Sequence, residues 1–122
     1  MARVVAFIPD LLFGSQVQGG LRAAGHEVEL VGDEEAVRGA LTGAEVLVVD
    51  LTDEPARRAS MFEGLMGDGA LGGVRSLAFY SHVEADTRAL AESAGFAMTV
   101  PRSRMAREGA GLVERLAASQ RQ

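Results

Sequence analysis

Arg3-Val4-Val5-Ala6-Phe7-Ile8-Pro9-Asp10 and its counterpart Ala44-Glu45-Val46-Leu47-Val48-Val49-Asp50 decide the fold of this chain. Each is an almost unbroken apolar run of strand length, and an aspartate follows it closely. Unbroken runs, as opposed to alternating ones, mark strands of a parallel sheet, because helices cover both of its faces. If the strand order is 2-1-3-4-5, strands one and three are neighbours. Both carboxylates then emerge at the carboxyl edge of the sheet, beside the switch point where open α/β folds place their chemistry. Asp10 and Asp50 are therefore expected to form an acidic pocket.

Outward from these runs, strand and helix alternate. Residues 11–24 carry a helical pattern through Leu11, Leu12, Val17 and Leu21 that stops at Gly25, while Gly19-Gly20 weakens the middle of the helix. Glu27-Val28-Glu29-Leu30-Val31 alternates polar and apolar residues, as a half-covered edge strand does. Asp33 caps a short helix over residues 34–41, and Pro55 stands at the start of a third helix over residues 56–66. Residues 67–73 read as a loop, without the Lys that a phosphate-cradling loop needs. Residues 74–80 form the fourth strand, and Ser81-His82-Val83-Glu84 has capping-box spacing ahead of a helix over residues 85–94. Gly95 closes that helix, residues 96–100 form the fifth strand and Pro101 stops it. Ser103 then opens a last helix with Met105, Leu112, Val113 and Leu116 inward. The expected architecture is an α/β three-layer sandwich, flavodoxin-like, with a five-stranded parallel sheet of order 2-1-3-4-5.

At 122 residues and 48% hydrophobic content the chain makes a single domain, residues 1–122, with a real core. A net charge of −5 argues against a nucleic-acid partner or an acidic membrane surface. No apolar run approaches a membrane span, and Met1-Ala2-Arg3-Val4 leads straight into a strand, so neither a signal peptide nor an anchor is expected. Cysteine is absent, which removes disulfides and thiol chemistry and suits a cytoplasmic location. The twelve cationic side chains are all Arg, so chemistry that needs an amine beside the carboxylates is excluded. There is no Ser–His–Asp spacing, His-rich cluster or P-loop to support a hydrolase, metalloenzyme or nucleotide triphosphatase.

Taken together these segments resemble the receiver domain of two-component response regulators. Asp10 lies where that family has the second of its paired acids, and Gly25-His26-Glu27-Val28 resembles its Gly-aromatic-Glu-Val. Asp33-Glu34-Glu35-Ala36 is similar to the opening of the family's second helix, and the run from Glu84 to Gly95 to its fourth helix. The resemblance implies that Asp50 is the phospho-acceptor position, and that Asp10 and Asp50 hold magnesium. It implies a weak site, because the first acid of the pair is Pro9 and a hard divalent ion depends on the number of its oxygen ligands. The family's lysine position is Arg102, a broad planar fork in place of a compact amine, and Pro101 precedes it where the family's proline follows. The hydroxyl switch position falls on Tyr80 or on Ser81, and both stay open.

Each of these residues also has a plain structural reading. Asp10 caps helix one, Asp50 caps the loop before helix three, and Ser81 opens the capping box. Arg102 is a solvated helix-start residue or reaches across to the acidic pair, and His26 and His82 are surface residues. The expected function is a degenerate, non-enzymatic receiver-like module that acts alone through protein contact, with no required cofactor. The partner, another protein or a second copy, is expected on the mixed-charge face between Glu84 and Leu116, where the family forms its output surface. Two alternatives remain. One is a working phospho-acceptor using Asp50. The other is a small-molecule binder at the carboxyl edge, for which the chain lacks both a Ser/Thr-rich flavin loop and the Asp-x-His of cobalamin modules.

Overall fold

The computed structural model describes residues 2–81 and 85–121. The elements run β1 (Arg3–Phe7), α1 (Leu11–Ala23), β2 (Glu27–Val31), α2 (Glu34–Ala40), β3 (Val46–Asp50), α3 (Pro55–Gly67), β4 (Arg75–Tyr80), α4 (Ala85–Ala94), β5 (Met98–Pro101) and α5 (Arg102–Arg121). The five strands form one sheet in the order β2-β1-β3-β4-β5, every pairing parallel. Phe7 lies opposite Val49 and Asp50 opposite Phe79, so the ends of β1, β3 and β4 share the carboxyl edge.

Alternation along the strands divides the interior between two layers. Val4, Ala6, Val46, Val48, Leu77 and Phe79 face α1 and α5, against Phe13, Val17, Leu21, Met105, Leu112 and Leu116. Val5, Phe7, Leu47, Val49, Ala78 and Tyr80 face α2, α3 and α4, against Val37, Phe62, Leu65 and Ala91. Burial on both faces is why the central runs are apolar without interruption. On the second layer Phe62 stacks on Phe96 with ring centroids 3.8 Å apart. Arg38 of α2 hydrogen-bonds to Glu34 at 3.0 Å and pairs with Asp68 beyond α3 at 2.9 Å. Those two carboxylates, Glu34 first, raise its pKa above the ordinary arginine value. No described helix is long and apolar enough to cross a membrane.

Several local expectations are corrected. Leu11 and Leu12 do not face inward; they are 86% and 73% exposed. The inward residues of α1 are Phe13, Gly14, Val17 and Leu21. The cause is the close approach of α1 to the end of β1, where a Cβ on Gly14 would sit 3.1 Å from the Ile8 carbonyl oxygen. β5 begins at Met98, not at residue 96, because Phe96 turns onto Phe62 and the Ala97 N–H donates to Ser76 Oγ at 3.0 Å instead of joining the ladder. Pro101 is the last residue of that edge strand, where a missing N–H costs nothing, and α5 opens at Arg102, one residue before Ser103. β4 likewise starts at Arg75 in place of residue 74. His26 is buried, not a surface residue, because its Nδ1 accepts the Ala2 N–H at 2.9 Å at the start of β2. His82, the capping-box partner Glu84, and with it the first residue of the expected partner face, lie outside the described residues.

Candidate functional site

Three β-to-α junctions build the carboxyl edge. After β1 the chain turns through Ile8 and Pro9 into Asp10, whose extended backbone and side chain cap α1: its Oδ1 accepts the Phe13 N–H at 3.0 Å. Such a cap satisfies one of the orphan donors of a helix's first turn. Asp10 Oδ2 lies 4.0 Å from Arg102 Nη2, and both side chains are about half exposed, at 52% and 47%. The Arg102 guanidinium rests on the Phe13 ring, 4.2 Å from its centroid. Arg102 therefore reaches the acidic edge through Asp10, and it is Arg58 that stands beside Asp50.

Asp50 ends β3 and is only 3% exposed, the one buried carboxylate among the described residues. Its Oδ1 accepts two hydrogen bonds from one neighbour, from Thr52 N–H at 2.7 Å and from Thr52 Oγ1 at 2.6 Å. Donors to an ionised carboxylate are the stronger kind of hydrogen bond, and here they come from a tight local turn. On the other side stands Arg58, 7% exposed, in the first turns of α3. Its Nη1 donates to the Asp50 main-chain oxygen at 3.0 Å and lies 3.9 Å from Asp50 Oδ2. Nη2 lies 3.7 Å from Asp53 Oδ2 and 3.9 Å from Glu54 Oε2, and the guanidinium sits over the Phe7 ring at 5.2 Å.

Glu54, which opens α3, has φ 45° and ψ 49°, a left-handed conformation that a non-glycine residue adopts at a cost of about 1–3 kcal/mol. It makes no side-chain cap to its helix; its Oε1 instead accepts from Arg57 at 3.2 Å. Beside this turn a cavity of about 550 Å³ opens between α3 and the start of α2, with Phe7, Pro9, Asp33, Glu54, Arg58 and Met61 in its wall. Of the two switch positions left open by the sequence, Tyr80 is 6% exposed and packs in the core against the α2–α4 layer. Ser81 is half-buried just beyond β4.

Sequence reasoning missed Arg58. A signal was present: on a helix opening at Pro55, positions 58, 59, 62 and 65 form one stripe, and the structure buries Arg58 with Ala59, Phe62 and Leu65. A charged residue on an apolar stripe needs a buried partner, and the nearest aspartate ending a strand is Asp50.

The donors at this edge do not fit a divalent cation. Magnesium asks for near-octahedral oxygen ligands. Asp10 is turned to its helix and to Arg102, Asp50 Oδ1 holds both Thr52 donors, and Asp50 Oδ2 faces a guanidinium. Among the described residues no three His, Cys, Asp or Glu side chains converge as a metal-holding group.

No family model matches the sequence, and no curated protein matches it. Solved structures do match in shape. The receiver domain of Francisella response regulator 1452 superposes with a TM-score of 0.82 at 11% identity, over 98% of each chain. A CheY-like protein, TadZ, from Pseudomonas aeruginosa gives 0.75 at 22% identity, over 96% of this chain and 94% of that one. An atypical orphan response regulator gives 0.74 at 13% identity, over 95% of each. At these identities the likeness establishes the fold, which is that of response-regulator receiver domains.

Proposed function

We propose that this chain is a receiver-like signalling module that acts by protein contact and is not switched by phosphate at Asp50. The observation that supports the reading best is the state of the Asp50 carboxylate. Attack on a phosphoryl group needs a free carboxylate oxygen and positive charge positioned around the transferred group. Here one oxygen is engaged by Thr52 and the other faces Arg58, while Pro9 stands where a second acid would be needed and no lysine exists to serve the phosphate. The atypical orphan regulator of similar fold is described as having a phosphorylation-independent regulatory mechanism, which makes such a use of the fold reasonable.

The partner surface we assign is α4, β5 and α5, up to Leu116. Its charges are matched in near neighbours, Arg88 with Glu92 at 3.8 Å and Arg104 with Glu108 at 3.5 Å, which keeps the face soluble yet patterned. A mixed-charge face of this kind suits a specific, salt-sensitive contact with another protein or a second copy.

Incubation with acetyl phosphate and magnesium, followed by intact-mass measurement, tests the proposal. The expected spectrum carries no phosphoryl adduct. Stoichiometric labelling that disappears in Asp50→Asn would overturn it and establish a working phospho-acceptor.

A further inference from the structure

Arg58 is a charged side chain placed where an apolar one would pack. It lies on the inward stripe of α3 with Ala59, Phe62 and Leu65, and only 7% of it is exposed. Burying a guanidinium is costly unless its charge is matched and its N–H groups are used. The charge is matched, and one N–H donates, at the end of β3. Nη1 donates to the Asp50 carbonyl at 3.0 Å and stands 3.9 Å from the Asp50 carboxylate, while Nη2 is shared between Asp53 at 3.7 Å and Glu54 at 3.9 Å. The Phe7 ring closes the far face of the guanidinium at 5.2 Å.

We propose that Arg58 is the resident cation of the carboxyl edge: a positioning residue that holds Asp50 and supplies, from within the chain, the positive charge that a divalent ion would otherwise bring. The inference rests on the phosphate-independent reading of the site and gives its physical cause. A tethered guanidinium is present at all times and repels a second cation approaching Asp50 Oδ2. Its planar fork also divides the work: Nη1 faces Asp50, through the main-chain oxygen and the carboxylate, while Nη2 faces Asp53 and Glu54, a spread that a compact ammonium would not cover. The left-handed turn at Glu54 fits this arrangement, since it brings the Glu54 and Asp53 carboxylates to the other end of the same guanidinium.

The test is a cycle of Arg58→Met, Asp50→Asn and the double variant, with thermal midpoints measured in chelator and again across a titration of magnesium chloride. Arg58→Met leaves the buried Asp50 carboxylate with Thr52 alone, and Asp50→Asn leaves the buried guanidinium with only the exposed carboxylates of Asp53 and Glu54, so the double variant should fall short of the summed losses by about 4 °C or more. The wild-type midpoint should not respond to millimolar magnesium. Arg58→Met should gain a saturable rise that the double variant lacks. Additive losses, or a folded Arg58→Met with no magnesium response, would overturn the proposal. If Arg58→Met does not fold, Asp50→Asn alone decides: it removes the one buried carboxylate facing Arg58, leaving the exposed Asp53 and Glu54, and must lose midpoint, and an unchanged midpoint overturns the role. Phosphoryl labelling of the wild-type chain bears on the functional reading, whereas an additive cycle removes Arg58 and leaves that reading standing.

Discussion

Asp10 is the position at which a structural and a chemical role separate most cleanly, and substitution there is the sharpest test of the site. The carboxylate does two things: it accepts the Phe13 N–H at 3.0 Å as the cap of α1, and it stands 4.0 Å from Arg102. Loss of an N-cap costs about 0.5–2 kcal/mol, typically ~1. An ion pair this long between half-exposed groups contributes about 0–1 kcal/mol and fades with salt. Asp10→Ala removes both and should cost about 1–1.5 kcal/mol, nearly all of it from the cap. For a chain of this size that is a fall of about 4–6 °C in midpoint. Asp10→Ser keeps a capping oxygen and removes the charge, so it should stay within about 0.5 kcal/mol of wild type. Urea unfolding at low and high salt measures both, with an unchanged m-value as the sign that the same surface is exposed. Equal losses in the two variants would refute the cap as the main role of Asp10. So would a magnesium-dependent stabilisation of wild type that both variants lose, because Asp10 would then be a metal ligand first.

Two further outcomes follow from other parts of the molecule. His26→Ala leaves the Ala2 N–H without its acceptor in a buried position and should cost about 1–3 kcal/mol in urea unfolding; a loss under about 0.5 kcal/mol would mean that water replaces the imidazole. Joint substitution Arg104→Glu and Arg107→Glu sets two more acids beside Glu108, now 3.5 Å from Arg104 and 3.7 Å from Arg107. It should change stability by no more than about 1 kcal/mol while lowering the mass seen by solution scattering or abolishing capture of a native partner; if both stay as in wild type, the partner face lies elsewhere on the surface.

The sheet was legible because burial on both faces imprints itself on composition: Val46 to Val49 are wholly apolar, and the aspartate that ends the run marks the carboxyl edge. Helix rotation was less so. Leu11 and Leu12 look like core residues by type, yet the contact of Gly14 with the Ile8 carbonyl turns them to solvent, and no periodicity rule contains that contact. Arg57 and Arg58 are adjacent and of one residue type, and the register of α3 is what separates the 82% exposed side chain of Arg57 from the buried one of Arg58. The turn that latches Asp50 to Thr52 is a matter of backbone geometry that composition does not encode. His26 is hidden for a similar reason, since its burial depends on where the chain's first residues tuck in.

The depth of the two charge pairs at the edge explains why the site would be set in place of switched. Asp10 and Arg102 meet in solvent, where salt screens them and either partner can turn away at little cost. Asp50 and Arg58 meet where both are buried; apart, the carboxylate keeps only Thr52 and the guanidinium only the exposed Asp53 and Glu54, so separating them costs more than parting a solvent-exposed pair. A phosphoryl group on Asp50 would have to displace Thr52 or Arg58 without gaining a metal or an amine in exchange, and the chain contains no lysine from which such an amine could come. Tyr80 is packed at 6% exposure against the α2–α4 layer, so moving it would disturb that core. On the face proposed above, a partner would meet α4, β5 and α5 without a phosphate-dependent change at Asp50. Under the phosphate-independent reading, control falls on how much of the protein and its partner is present, not on the chemical state of Asp50.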